Sequence, residues 1–150
     1  MNTTEIENRG MDERLFATLC RRYQKSPVYN ELGIRLLYLG RGAAGYEIDV
    51  EHCYTTVNGR LHGGIIATMA DSAMGWACLS LGRAAVTVDM NLNYFKPVFQ
   101  ETRLRAEGYV IREGKTLVVT EANLFNNEKL VAKSMGTFFL SGDIELIGAI

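Results

Sequence analysis

At 150 residues, 47 % of them hydrophobic and 22 % charged, the chain has the make-up of one soluble globular domain over 1–150. A chain of that length buries roughly 70 % of its unfolded surface. A net charge of -1 with scattered basic residues excludes the electrostatic footprint of a nucleic-acid binder. Three cysteines, Cys20, Cys53 and Cys78, are too few and too widely spaced for a disulfide framework or a zinc motif, and point to a reducing, cytoplasmic compartment. The polar start MNTTEIENRG predicts no leader, and no apolar run reaches the length of a membrane span.

Residues 12–24, DERLFATLCRRYQ, carry Leu15, Phe16, Leu19 and Tyr23 at helical spacing, with Asp12 as N-cap and basic residues near the end. Ser26-Pro27 offers a cap and a first-position proline for a short turn stopped near Gly33, so residues 1–32 read as an N-terminal helical extension. From Ile34 the period becomes two, and IRLLYL and GYEIDVE read as a hairpin around the small-residue stretch GRGAAG. Residues 51–60 are a loop and residues 63–81 a long, very apolar helix. Residues 84–98, AAVTVDMNLNYFKPV, alternate Val86, Val88, Met90, Leu92 and Tyr94 against Thr87, Asp89, Asn91 and Asn93, a half-buried strand ended by Pro97. Three more strands follow in TRLRAEGYVIRE, TLVVTEANLFN and KLVAKSMGTFFL, joined by EGK and NNEK turns. One apolar helix with a mostly antiparallel sheet makes an α+β layer pair in which the helix is the core element.

Several familiar motifs fail on context. GRGAAG matches a dinucleotide loop in its glycines, but a strand follows where a helix must face the pyrophosphate. Gly114-Lys115-Thr116 lacks the leading glycine of a P-loop and also runs into a strand. His52 and Cys53 have no second ligand pair to close a metal site, so no metal is expected. No nucleophile elbow of the serine hydrolases occurs.

The chemistry concentrates in LHGGIIATMADSAMGWACLSLG, residues 61–82, where Asp71 is the only charge between Ile65 and Leu81. Gly63 and Gly64 open this helix after His62. They either allow tight packing or leave the first N–H groups, unpaired by helix geometry, open to an anion or a developing oxyanion. Desolvation penalises an unpaired charge, so Asp71 is expected to be paired, protonated or facing a wet cleft. It is then either a structural aspartate bonding a strand or a general base or nucleophile. Gly63 and Asp71 lie eight residues apart, about 12 Å along a helix. If both act on one substrate atom, they come from two antiparallel copies of the helix, in a two-fold dimer whose sites are shared.

The stretch LHGGIIATMADSAMGWAC followed by VTVDMNLNYFKP resembles the hotdog-fold acyl-CoA thioesterases of the PaaI-like group, from about Gly33 to Leu140. The resemblance implies a sheet wrapped round the central helix, double-hotdog dimers and commonly homotetramers. It also implies hydrolysis of an acyl-CoA thioester, with coenzyme A as part of the substrate and no separate cofactor. By position, Asp71 matches the family's acidic base or nucleophile, and Gly63 the glycine whose N–H polarises the thioester carbonyl. His62 matches the histidine that helps to hold the thioester, and Thr87 a Ser/Thr that orients water. Thr56 stands where the family has asparagine, replacing an amide by a hydroxyl. Gly64, Met74 and Met90 are expected to contact substrate, with Trp76 and Tyr94 as further apolar lining. Lys96, Arg112 and Lys115 are the basic side chains considered for the phosphates, each of which reads more simply as a solvated charge. The alternative is a non-catalytic acyl-CoA-binding protein or regulator. No nucleic-acid or membrane partner is expected.

Overall fold

In the computed structural model, which describes residues 5–148, the elements run β1 (Glu7–Arg9), α1 (Glu13–Gln24), α2 (Pro27–Leu32), β2 (Arg35–Gly40), β3 (Ala43–Asp49), α3 (Gly63–Leu79), β4 (Arg83–Tyr94), β5 (Arg103–Glu113), β6 (Leu117–Asn126) and β7 (Lys129–Asp143). Asp12 starts α1 as its position predicts, its Oδ1 accepting the Arg14 and Leu15 N–H groups at 3.0 Å each. Pro27 begins α2 and Gly33 ends it in the left-handed conformation, φ 66°. The predicted loop ahead of α3 contains one short 3-10 turn, His52–Tyr54.

The strands form a single sheet in the order β1-β2-β3-β5-β6-β7-β4, antiparallel at every step except β1–β2. This is the expected α+β arrangement, a mostly antiparallel sheet around one central helix. Two features differ from the sequence reading. Strand β1 is an addition, paired in parallel with residues 38–40. Strand β4 stops at Tyr94, and it pairs with β7 rather than with its neighbour in sequence, so it forms one edge of the sheet.

Helix α3 lies against the sheet through Ile66, Met69, Ala70, Ala73, Met74, Ala77 and Cys78, all buried. Alanine at the contact positions lets the helix come close, and Gly108 on β5 completes the approach. A Cβ there would overlap the carbonyl of Ala73. On the other flank α1 and α2 cover Trp76, which meets Tyr23, Tyr29 and Tyr46 with ring centroids 6.0–6.4 Å away in edge-on geometry. No helix among the described residues is long and apolar enough to cross a membrane.

Strand β4 departs from simple alternation. Thr87 sits opposite Phe138 on β7, but Asp89 sits opposite Thr137, so Val88 is an extra residue in a bulge. Before the bulge Ala85 and Thr87 face α3; after it Met90, Leu92 and Tyr94 do, opposite Gly136, Ser134 and Ala132. The uninterrupted alternation predicted from sequence is therefore wrong in phase for its first half. Val86 and Val88 are 55 % and 57 % exposed instead of covered.

Candidate active site

His62 is the N-cap of α3, with extended backbone (φ -61°, ψ 132°). Its Nδ1 accepts the Gly64 N–H at 2.9 Å, which places the ring proton on Nε2 and aims that donor away from the helix. The His62 carbonyl takes the Ile65 N–H at 2.9 Å. Among the described residues the Gly63 N–H meets no acceptor, while the Gly63 carbonyl accepts the Tyr94 hydroxyl at 2.8 Å. The helix start thus presents one unpaired N–H with the macrodipole behind it, next to an imidazole N–H.

Two turns further on, Asp71 is half-buried on the flank of α3 that meets the edge strand β4. The Thr87 hydroxyl donates to its Oδ1 at 2.7 Å, a short charge-assisted bond, and no partner among the described residues takes Oδ2. The bulge at Val88 is what allows Thr87 to point at this helix while Met90, Leu92 and Tyr94 do the same farther along. Asp71 is therefore paired to a strand, and its second oxygen has no partner among the described residues.

The other predicted positions fall in different places. Thr56 is exposed at the foot of the 56–60 turn, its N–H bonded to the Arg60 carbonyl at 2.7 Å, and makes no bond to Asp71 or Gly63. The Gly64 N–H is already used by His62, and a Cβ there would press on the imidazole at 3.0 Å. Met74 is fully buried and packs toward Gly136, so within one chain it is core. Met90 is half-buried on the α3 side of β4. Trp76 belongs to the aromatic cluster under α1 and α2. Tyr94, expected as apolar lining, instead holds the first turn of α3 through its hydroxyl.

Tyr29 is a neighbour that spacing did not announce. Burial pushes its phenol above the ordinary value, Ser72, Tyr46 and Trp76 lie against it, and the Asp71 carboxylate pushes it further. It comes from the N-terminal extension and packs in the aromatic cluster with Tyr46 and Trp76, a placement that the helical periodicity there does not mark. Burial also lifts the Cys78 thiol to about 12, so at neutral pH it is protonated core and no nucleophile. His52 sits at 3.2 Å from Gln100 Oε1, away from this helix.

The site is thus a backbone donor and a carboxylate on one unbroken helix, about 12 Å apart and unable to meet within the chain. The family model of the thioesterase superfamily matches residues 58–133, which span the approach to α3, the helix, β4, β5, β6 and the start of β7. Human acyl-coenzyme A thioesterase 13 is 35 % identical over 108 residues, 69 % of this chain and 77 % of that protein. The E. coli PaaI protein from the phenylacetic acid degradation operon superposes with a TM-score of 0.84 at 25 % identity, over 89 % of this chain and 98 % of that one. A hypothetical thioesterase from Streptococcus pneumoniae TIGR4, solved with coenzyme A, gives a TM-score of 0.72 at 26 % identity, over 75 % of this chain and 91 % of that one. With a family model that matches half of the chain and named thioesterases similar to it in sequence and in fold, the chain belongs to the thioesterase superfamily, as an enzyme of its PaaI-like hotdog group.

Proposed function

We propose that the protein hydrolyses an acyl-CoA thioester to the free acid and coenzyme A, at sites shared between two copies of the chain. The observation that carries this is the Thr87–Asp71 pair on the uncovered side of the helix that begins with the free Gly63 N–H. The thioester carbonyl oxygen is held at Gly63 of one protomer with the His62 Nε2–H beside it. The partner's carboxylate at position 71 either takes a proton from the attacking water, or attacks the carbonyl carbon itself to give a mixed anhydride that water then hydrolyses to the free acid. Negative charge gathers on the oxygen at Gly63 and is released as the coenzyme A sulfur leaves. A single backbone donor at such a position is worth roughly 3–4 kcal/mol in the transition state.

Relatives named as acyl-CoA thioesterases and a structural neighbour solved with coenzyme A support the substrate class. Support for the shared site comes from α3 itself. Gly64, Ala67, Thr68, Asp71 and Gly75 form its uncovered side, and small residues there let a second helix approach closely. The same side is flanked by β4, a 12-residue edge strand whose outer side pairs with no strand among the described residues, the kind of edge that soluble proteins cover. Val86, Leu117, Met135 and Phe139 leave an apolar patch on the face of the sheet opposite α3, which suits a further pairing of dimers into a homotetramer. Coenzyme A enters as part of the substrate, no separate cofactor takes part, and the three free thiols suit a cytoplasmic enzyme.

Thiol release across a panel of acyl-CoAs tests the reading. Turnover of at least one of them is expected, and Asp71→Asn should lower kcat by about 10²–10⁴-fold without loss of the melting transition. Binding of acyl-CoA with no turnover on any member of the panel would make the protein a binder instead, the outcome that Thr56 in place of asparagine would then explain.

A further inference from the structure

We infer that Tyr94 is a positioning residue of the reaction, acting through the Gly63–Gly64 peptide on the His62 imidazole. The inference rests on the thioesterase reading of the α3 site and names the side chain that aims its imidazole donor. The amide between Gly63 and Gly64 is held at both ends. Its carbonyl accepts the Tyr94 hydroxyl at 2.8 Å, and its N–H donates to His62 Nδ1 at 2.9 Å. A donor on the carbonyl draws electron density to the oxygen and makes the N–H of the same amide the stronger donor. Hydroxyl, amide and imidazole therefore form one chain of hydrogen bonds, every link donating in the same direction. It ends at the His62 Nε2–H, beside the Gly63 N–H.

Both glycines are needed for this arrangement. A Cβ on residue 63 would start 3.3 Å from the Tyr94 hydroxyl and 3.4 Å from its Cζ, so the ring end fills the space of an absent side chain. A Cβ on residue 64 would sit 3.0 Å from His62 Nδ1. Neither glycine takes the left-handed conformation, so they supply room for these two rings and not backbone freedom.

The stability of the helix does not ask for the tyrosine bond. A helix carbonyl is already served by the N–H four residues on, and the hydroxyl is a second donor to that oxygen. Tyr94 is also 53 % exposed, on the edge strand, its ring end against a glycine and not in the core. The bulge at Val88 lets Tyr94 and Thr87 face α3 together. One strand thus holds both half-sites, the carboxylate through Thr87 and the imidazole through Tyr94. Of the two neutral tautomers of His62, only the one with a bare Nδ1 has a donor at Nε2. Loss of the Tyr94 hydroxyl weakens the Gly64 N–H as a donor and lets the other tautomer compete, whose Nε2 lone pair repels a developing oxyanion.

The test is Tyr94→Phe in the full chain, read by imidazole nitrogen NMR and by kinetics. Tyr23→Phe is the control, since it also removes a hydroxyl from a backbone carbonyl, that of Ile34 at 3.0 Å, in the cluster around Trp76. The chain has two histidines, so His52→Gln assigns the spectrum. In the ligand-free wild type, above the pH range where histidine titrates, His62 should show a protonated Nε2 and a bare Nδ1. In Tyr94→Phe the two nitrogen signals should move toward each other as the tautomers mix. Its kcat should fall about fivefold with KM kept. Tyr23→Phe should change neither. In a His62→Asn background, where the amide still caps the helix but offers no imidazole, removing the Tyr94 hydroxyl should have no further effect. Unmoved His62 signals in Tyr94→Phe, or an undiminished fall in kcat on top of His62→Asn, overturn the inference. Signals that move in a protein that hydrolyses no acyl-CoA would sink the thioesterase reading and leave the hydrogen-bond chain in place. Hydrolysis with unmoved signals would do the reverse.

Discussion

Proline at position 63 would remove one N–H and bring a Cβ to 3.3 Å from the Tyr94 hydroxyl, the end of an exposed side chain that can shift to make room. The first helical position tolerates proline, and His62, with ψ 132°, already has the extended backbone that proline requires of its predecessor. Gly63→Pro should therefore keep the melting temperature while kcat falls about 10²–10³-fold, the cost of one oxyanion donor. Steady-state kinetics beside a thermal melt decides it; full activity would take the Gly63 N–H out of the reaction. Thr87 is a positioning residue acting through Asp71, and its variants separate the hydroxyl from the bulk. Thr87→Val should lower kcat about tenfold with KM kept, the worth of one hydrogen bond to a charged group, and Thr87→Ser should restore it. A serine variant as slow as the valine one would mean that the methyl group's packing matters and the bond to Asp71 does not. Asp71 and the Gly63–Gly64 pair stand out in the sequence because a lone carboxylate in an apolar helix and a glycine pair at its start are local anomalies. The surroundings of Gly64 and Met74 within one chain carry no such mark in the sequence. The His62 ring takes the Gly64 N–H, and Gly136 opens just enough room to seal Met74 into the core.

The helices could be read from their ends, since Asp12, Pro27 and Gly33 act within a few residues of themselves. Strands depend on partners far along the chain, and there the reading thinned. The three residues of β1 need only residues 38–40 beside them, so no alternation marks them. The order of strands, with β4 carried to the edge beside β7, is a property of tertiary pairing. Most instructive is β4, whose sequence alternates faithfully while its backbone does not: one bulged residue moves Thr87 to the helix face and turns Val86 outward. Gly108 is the clearest case of a residue whose role only packing reveals. In sequence it is an interruption in a strand; in the structure it is the point where β5 and the backbone of α3 touch. Gly108→Ala should destabilise the fold by about 1–3 kcal/mol, because the atom it meets is a main-chain carbonyl that cannot rotate away. Gly148→Ala, with open space around the added carbon, should be close to neutral. Denaturant melts of the two variants measure the contrast, and equal midpoints would show that α3 can lift off the sheet without cost.

At the scale of the assembly, the unbroken run of α3 decides the argument. Eight residues of continuous helix hold the donor and the carboxylate about 12 Å apart, and no side-chain rotation closes that gap. A two-fold axis passing near Ala67, midway between them, would bring each Gly63 beside the partner's carboxylate and so make two sites per dimer. The consequence is a complementation experiment with a definite yield. Asp71→Asn chains keep a working donor, and Gly63→Pro chains keep a working carboxylate. Each homodimer has two broken sites. A hybrid has one site carrying both defects and one carrying neither. Random exchange at equal amounts makes half of the dimers hybrid, so the mixture should recover about a quarter of wild-type activity. Subunit exchange followed by native mass spectrometry counts the hybrids, and the thiol-release rate of the same sample reports their sites. Hybrids that form and stay inactive would confine each site to one chain. The 12 Å along α3 would then separate two groups acting on different atoms of the substrate, and the carboxylate's only tested partner would be Thr87.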